Sequence, residues 1–267
     1  MKRHELTDAQ WERLAPLLPA QRPAHGRPNA DHRRILNGIH WRLKTGVPWR
    51  DIPERYGPWR TLYSRYRRWQ RAGVWDRVLA ALQEQADARG ELGWDLHFLD
   101  GSVVRAHQHA AGARGEPASE ALGWSRGGFS TKLHVRAERG GKPMVIALTA
   151  GERNEQVAVP DLLDRGAVRR PCGGRPRLRP RRAAGDRGYS SDTVRGRLRR
   201  RGIGAVIPTR ADQRRRPRFD RAAYRERNVV ERLFNRLKQY RAIATRYDKR
   251  RGLYHAGLTF AAILLWL

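Results

Sequence analysis

The hydrophobic period of this chain changes once, near Gly93, and that change sets the fold class. Before it, apolar residues recur at helical spacing: Trp11, Leu14, Ala15 and Leu18, then Ile35, Leu36, Ile39 and Leu43, then Trp59, Leu62, Tyr63, Tyr66 and Trp69. After it, DLHFLDGSVV, FSTKLHVRAE and KPMVIALTAG read as strands, the last two joined through Arg139, Gly140 and Gly141 as a hairpin. Strands and helices then alternate. A helix is expected near Val157–Arg165, a short strand ending at Asp186, a helix over Ser191–Arg200, a strand at GAVIPT, and one long helix from about Arg221 to Ile243. Antiparallel strands followed by such alternation predict an α/β fold, one mixed sheet with helices packed on it. Two domains follow: residues 1–90, all helical, and residues 91–267.

Local signals sharpen the helical part. Thr7 and Gln10 form a capping-box pattern and Leu6 with Trp11 a hydrophobic staple, so the first helix begins at Asp8. TGVPW ends the second helix, a short helix is expected around Trp49–Tyr56, and Pro58 stands at the first helical position of the third. Val74–Ala88 completes the module, with Trp41, Trp49, Trp59, Trp69 and Trp75 as its core. Arg60, Arg67, Arg68 and Arg71 line one face of the third helix. They suit either the recognition face of a helix-turn-helix-like DNA-binding domain or a solvated basic surface.

Charge points to the partner. With 56 Lys+Arg against 26 Asp+Glu, a net charge of +30 and a pI near 11.6, the expected partner is a polyanion, nucleic acid first, because neutralising phosphates releases condensed counterions. ADQRRRPRFD is expected to be mobile without it. Nearly all the cations are arginine, which inflates the magnitude but not the sign. Cys172 is the only cysteine, which excludes an intrachain disulfide and a multi-cysteine zinc site and fits a reducing cytoplasm. The N-terminus has no apolar signal core, and Leu258–Leu267 is too short for a membrane span and reads as a buried closing helix.

Tyr224, Arg227, Glu231 and Lys238 carry the chemistry. On a continuous helix they fall within an arc roughly 60° wide, opposite Val229, Val230, Leu233 and Leu237. A carboxylate flanked by cations suits a metal ligand beside a DNA backbone, and Lys238 is one of few lysines in an arginine-rich chain. Asp100 ends the apolar run LHFL before Gly101, and Asp186 in AAGDRGY has a glycine two residues on. Two strand-end aspartates and a helical glutamate can share one or two Mg²⁺ ions and serve phosphodiester displacement. Taken singly, each Asp also reads as a turn former and Glu231 as a surface ion-pair partner. His107 and His109 suggest a DNA-facing loop more than zinc, and Lys132 and His134 suit phosphate contact or the core equally.

These residues resemble the bacterial insertion-sequence transposases with an Asp-Asp-Glu core, family five and its relatives in the insertion-sequence-four superfamily. The spacing Tyr224, Arg227, Glu231, Lys238 matches that superfamily's helical signature. LDGSVVRAH, GGFSTKLH, GDRGYSS and ERLFNRLKQYRAIATRYDK resemble its core blocks, and HGRPNADHRRILNGIHWRLKTGVPWRDIP its N-terminal region. The resemblance spans essentially the whole chain. It implies a ribonuclease-H-like core with Asp100, Asp186 and Glu231 as catalytic metal ligands for Mg²⁺, which Mn²⁺ can replace. It also implies double-stranded DNA, element ends and target, as the partner, with Tyr224, Arg227 and Lys238 against the transposon ends, and a homodimer or larger assembly on DNA in the bacterial cytoplasm, associated with the nucleoid. Two departures stand out: Gly185 replaces the usual apolar residue before the second aspartate, which loosens a strand, and the Asp186–Glu231 segment is short. The rival readings are a metal-dependent nuclease or resolvase that does not join strands, and a non-catalytic DNA-binding repressor.

Overall fold

The computed structural model describes residues 3–22, 29–113, 117–213 and 219–267. Part of the PAQRPAHGRPNA stretch and the centre of ADQRRRPRFD lie outside those residues. The helical part comprises α1 (Asp8–Leu14), α2 (His32–Thr45), α3 (Trp59–Arg71) and α4 (Val74–Ala88). Thr7 and Gln10 form the capping box, each side chain accepting the other's backbone N–H, and such a cap contributes about 1 kcal/mol. The short helix near Trp49–Tyr56 is two 3₁₀ turns, Trp49–Asp51 and Glu54–Tyr56. Pro58 caps α3 one residue before its first turn. Gly73 at φ 64° makes the tight corner between α3 and α4.

The sheet contains β1 (Leu96–Ala106), β2 (Gly123–Ser125), β3 (Gly128–Ala137) and β4 (Pro143–Ala150). After α5 (Val159–Asp164) come β5 (Arg182–Gly185), α6 (Asp192–Arg200) and β6 (Gly204–Val206), shorter than GAVIPT suggested. β3 pairs antiparallel with both β1 and β4, while β5 joins β1 in parallel and β6 joins β5. The resulting order β4-β3-β1-β5-β6, three antiparallel strands and then two parallel to the first, is the ribonuclease-H-like mixed sheet. The β3–β4 hairpin closes as expected, with Glu138 accepting from Gly140 N–H at 2.7 Å and Lys142 N–H at 2.9 Å.

The long C-terminal helix expected over Arg221–Ile243 is instead three pieces: α7 (Arg221–Arg225), α8 (Asn228–Lys238) and α9 (Arg241–Ala244). At the first break the hydrogen bonds tighten, Arg227 N–H to Tyr224 O at 3.1 Å and Val230 N–H to Arg227 O at 3.0 Å. That 3₁₀ spacing advances each residue farther round the axis than an α-helix does. Tyr240, with extended φ −85° and ψ 106°, makes the second break. β7 (Thr245–Arg246) extends the sheet beside the end of β1, and α10 (Arg251–Trp266) closes the chain.

α10 packs on α4 from one side and on β4 from the other, so the helical region and the sheet share one continuous core. Its polar ties include Tyr66 Oη to Leu253 O at 2.6 Å and Trp266 Nε1 to Pro143 O at 2.9 Å. Trp69 and Trp75 are buried in that core, with Trp41 and Trp49 packed against it. No helix among the described residues is long and apolar enough to cross a membrane.

Candidate active site

Asp100 does not end a strand as expected, because β1 runs on to Ala106; it lies within β1 where the shorter parallel β5 stops, Leu99 opposite Gly185, so that Asp186 just past β5 stands beside it. Asp100 is buried, and its Oδ1 accepts from its neighbour Gly101 N–H at 2.9 Å. Asp186 stands just past β5 and caps the 3₁₀ turn Arg187–Tyr189, accepting from Gly188 N–H at 2.9 Å. It is therefore a turn former as well as a site carboxylate. Gly185 has a direct cause: a Cβ there would lie 3.0 Å from Tyr189 Cδ2, because the buried tyrosine ring occupies that space. The strand that aims Asp186 is thus buttressed by a side chain four residues later.

α8 supplies the third carboxylate. Arg227, at its N-terminal end, places Nη1 3.3 Å from Asp100 Oδ2 and Nη2 3.1 Å from Glu231 Oε1. One guanidinium thereby links residues 131 positions apart in the chain. Its carbon also lies 5.8 Å from the Tyr224 ring centroid. Lys238 Nζ donates to Ser102 Oγ at 2.7 Å, tying the far end of α8 to β1. Arg227 and Lys238 contact β1 directly, Glu231 joins it through Arg227, and Tyr224, on α7, lies beside Arg227.

Burial is the largest cause that pushes the Asp100 carboxyl up to about 6; the Arg227 cation and the Gly101 N–H oppose it, and the charges of Asp186 and Glu231 add to it. Such a site has more negative charge than its single arginine offsets. Three carboxylates offer hard oxygen donors, the type Mg²⁺ and Mn²⁺ accept, so the donor chemistry fits a divalent cation. Among the described residues no three acidic, His or Cys side chains stand in ligating geometry as they are. Arg227 lies between two of the carboxylates instead.

The other sequence candidates are more dispersed. Arg60, Arg67, Arg68 and Arg71 are exposed on α3, whereas Arg65 on the same helix is buried against His32 Nδ1 at 2.7 Å and Asn29 Oδ1 at 2.8 Å. Lys132 is committed to the interior, donating to Glu155 Oε1 at 2.9 Å and Arg153 O at 2.8 Å. His134 bonds Thr149 Oγ1 at 2.8 Å, and burial lowers its pKa to about 4. The His107 ring stacks on Tyr247 at 4.7 Å. Ser102 and Glu155 were not singled out from sequence, because only the fold brings Lys238 to the one and Lys132 to the other.

A ribonuclease-H-like sheet with one aspartate within its first strand, a second just past the adjacent parallel strand and a helical glutamate beside them suits the class of nucleic-acid phosphoryl-transfer enzymes. The family model "Transposase DDE domain" matches residues 95–266, and "Putative transposase of IS4/5 family (DUF4096)" matches residues 6–79. The chain belongs to the DDE transposases of the IS4/5 group, enzymes of phosphoryl transfer on DNA. It is 42% identical over 109 residues to the uncharacterized protein y4sN of Sinorhizobium fredii (strain NBRC 101917 / NGR234), covering 41% of this chain and 82% of that one. It is 36% identical over 107 residues to the insertion element IS402 uncharacterized 16.2 kDa protein of Burkholderia cepacia, covering 38% of this chain and 73% of that one. A "Putative transposase for insertion sequence element IS402", also of Burkholderia cepacia, is 31% identical over 135 residues, 51% of this chain and 62% of that one. Among solved structures, the Mos1 strand transfer complex aligns over 82% of this chain and 81% of that one at 12% identity, with a TM-score of 0.26.

Proposed function

We propose that this transposase binds the terminal inverted repeats of its own insertion sequence, cuts DNA there to expose a 3′-OH, and joins that hydroxyl to a target strand. The observation that carries the reading is the Arg227 link, which draws Asp100 of β1 and Glu231 of α8 to one place beside Asp186. In this reading Asp100, Asp186 and Glu231 are the catalytic carboxylates and would hold Mg²⁺, with Mn²⁺ as a substitute. A bound divalent ion activates the attacking oxygen and stabilises the leaving one. The chain's own residues position the DNA: Arg227 and Lys238 present fixed cations to phosphates, and Tyr224 packs beneath Arg227. The same carboxylates serve cutting and joining, since both are in-line displacements at phosphorus.

Residues 1–90 act as the DNA-binding region in this reading, with Arg60, Arg67, Arg68 and Arg71 against the duplex, and residues 91–267 as the catalytic one. Two ends need two active sites, so a homodimer or larger assembly forms on DNA. The test is cleavage of labelled end DNA by Asp100→Asn and Asp186→Asn. Both should bind the ends with wild-type affinity and fail to cut. Cutting at the wild-type rate by either variant contradicts the reading, and cutting without joining by the wild type favours a nuclease.

A further inference from the structure

The glycines that follow the two aspartates face a common neighbour. A Cβ on Gly101 would lie 3.4 Å from Glu155 Cγ, and a Cβ on Gly188 would lie 3.2 Å from Glu155 Oε2 and 2.9 Å from Asp186 Oδ1. Neither glycine has a positive φ, so backbone strain does not explain them. The Glu155 side chain lies in the slot between strand β1 at Gly101 and the turn after Asp186: it is at contact distance from Gly101, where the His134 ring at 3.3 Å is the nearer neighbour, and it is tighter against Gly188.

Glu155 is held there firmly. It opens the 3₁₀ turn Glu155–Ala158, which Asn154 caps by accepting from Gln156 N–H at 3.0 Å. The next side chain, Gln156, donates from Nε2 to Gly188 O at 2.8 Å, clamping the turn that carries Asp186. From the other side Lys132 reaches out of the sheet to Glu155 Oε1 at 2.9 Å. Lys132 pairs with Val103, three residues beyond Asp100 in β1. A nearly buried ammonium is costly unless it is paired and fully hydrogen-bonded, and here its partners are Glu155 and the Arg153 carbonyl. The same short segment therefore touches β1 beside Asp100 and clamps the turn that carries Asp186.

We infer that Glu155 is a positioning residue of the catalytic site: its carboxylate, anchored by Lys132, sets the separation of Asp100 and Asp186. The inference rests on the reading of those aspartates as the catalytic pair. It adds a fourth acidic residue that acts through the other carboxylates.

The experiment compares Glu155→Ala, Glu155→Gln and, as a control, Asp186→Asn, in the full chain. Two quantities are read: Mn²⁺ binding by the protein alone, titrated by electron paramagnetic resonance, and end cleavage separated into kcat and KM for DNA. Glu155→Ala should weaken Mn²⁺ binding and lower kcat by roughly 10- to 100-fold, the range for residues that orient metal ligands, with KM unchanged. Glu155→Gln keeps the shape and still accepts from Lys132, so it should recover most of the loss. Should Glu155→Ala fail to fold, Glu155→Asp withdraws the carboxylate from the slot and should show the same kcat loss at unchanged KM. Wild-type Mn²⁺ binding and kcat in Glu155→Ala, with cleavage lost in Asp186→Asn, overturns the positioning role alone. Wild-type cleavage by Asp186→Asn overturns the catalytic reading and this inference with it.

Discussion

The ammonium of Lys238 lies 2.7 Å from the hydroxyl of Ser102, two residues beyond Asp100 on β1. The last turn of α8 is thereby held over the strand that carries the first aspartate, with a cation at the edge of the site. Lys238→Ala should reduce the slope of log K against log salt for end DNA by about 1, the signature of one lost phosphate contact. An unchanged slope would mean that the ammonium serves only to hold Ser102.

The raised pKa of Asp100 makes a pH-dependent stability prediction for the protein free of divalent ions. Its ordinary value of 3.8 rises to about 6, with burial the largest cause. Between those values the folded protein keeps a proton that the unfolded chain has released, so stability is lost as pH rises through about 6. Asp100→Asn removes that loss. It should be more stable than wild type by about 1–3 kcal/mol above pH 7 and no more stable near pH 4. Denaturant unfolding at the two pH values checks this, and a gain of the same size at both would contradict it.

Gly185 and Tyr189 make a packing prediction. A Cβ at position 185 would sit 3.0 Å from the tyrosine ring. Gly185→Ala should therefore destabilise the protein by about 1–3 kcal/mol through overpacking, less in a Tyr189→Leu background where the ring is gone. Equal losses in both backgrounds would place the strain elsewhere.

The arginine-rich surface should make binding steeply salt-dependent. Raising salt from about 50 to about 200 mM should weaken end binding by on the order of a thousandfold, as expected when several phosphates are neutralised. A flat response in a fluorescence anisotropy titration would exclude a phosphate-dominated interface.

Much of this molecule was legible from local patterns. The capping box at Thr7, the apolar runs of β1, β3 and β4, and the strand-end position of Asp186 each depend on neighbours a few residues away, whereas Asp100 lies inside β1, whose pairing with β3 continues past it. The single long helix through Tyr224 and Lys238 was not, because its break at Glu226 and Arg227 accompanies tertiary contacts: Glu226 pairs with Arg139 at 2.9 Å and Arg227 with Asp100 at 3.3 Å. Gly185 read as a weak point in the strand for the same reason. Its compensating ring at Tyr189 is a packing fact with no periodic signature. Lys132 offered a free cation in sequence and is an internal counter-ion in the fold, since only the fold brings Glu155 to it.

The most direct test of the central claim is strand transfer with Mg²⁺, using labelled end DNA and a target plasmid, wild type against Glu231→Ala. The Glu231 side chain is 56% exposed, so its removal leaves the core intact and loss of activity cannot be put down to unfolding. Wild type should yield joined products, and Glu231→Ala should bind the ends yet yield none. Joined products from Glu231→Ala at the wild-type level would contradict the account.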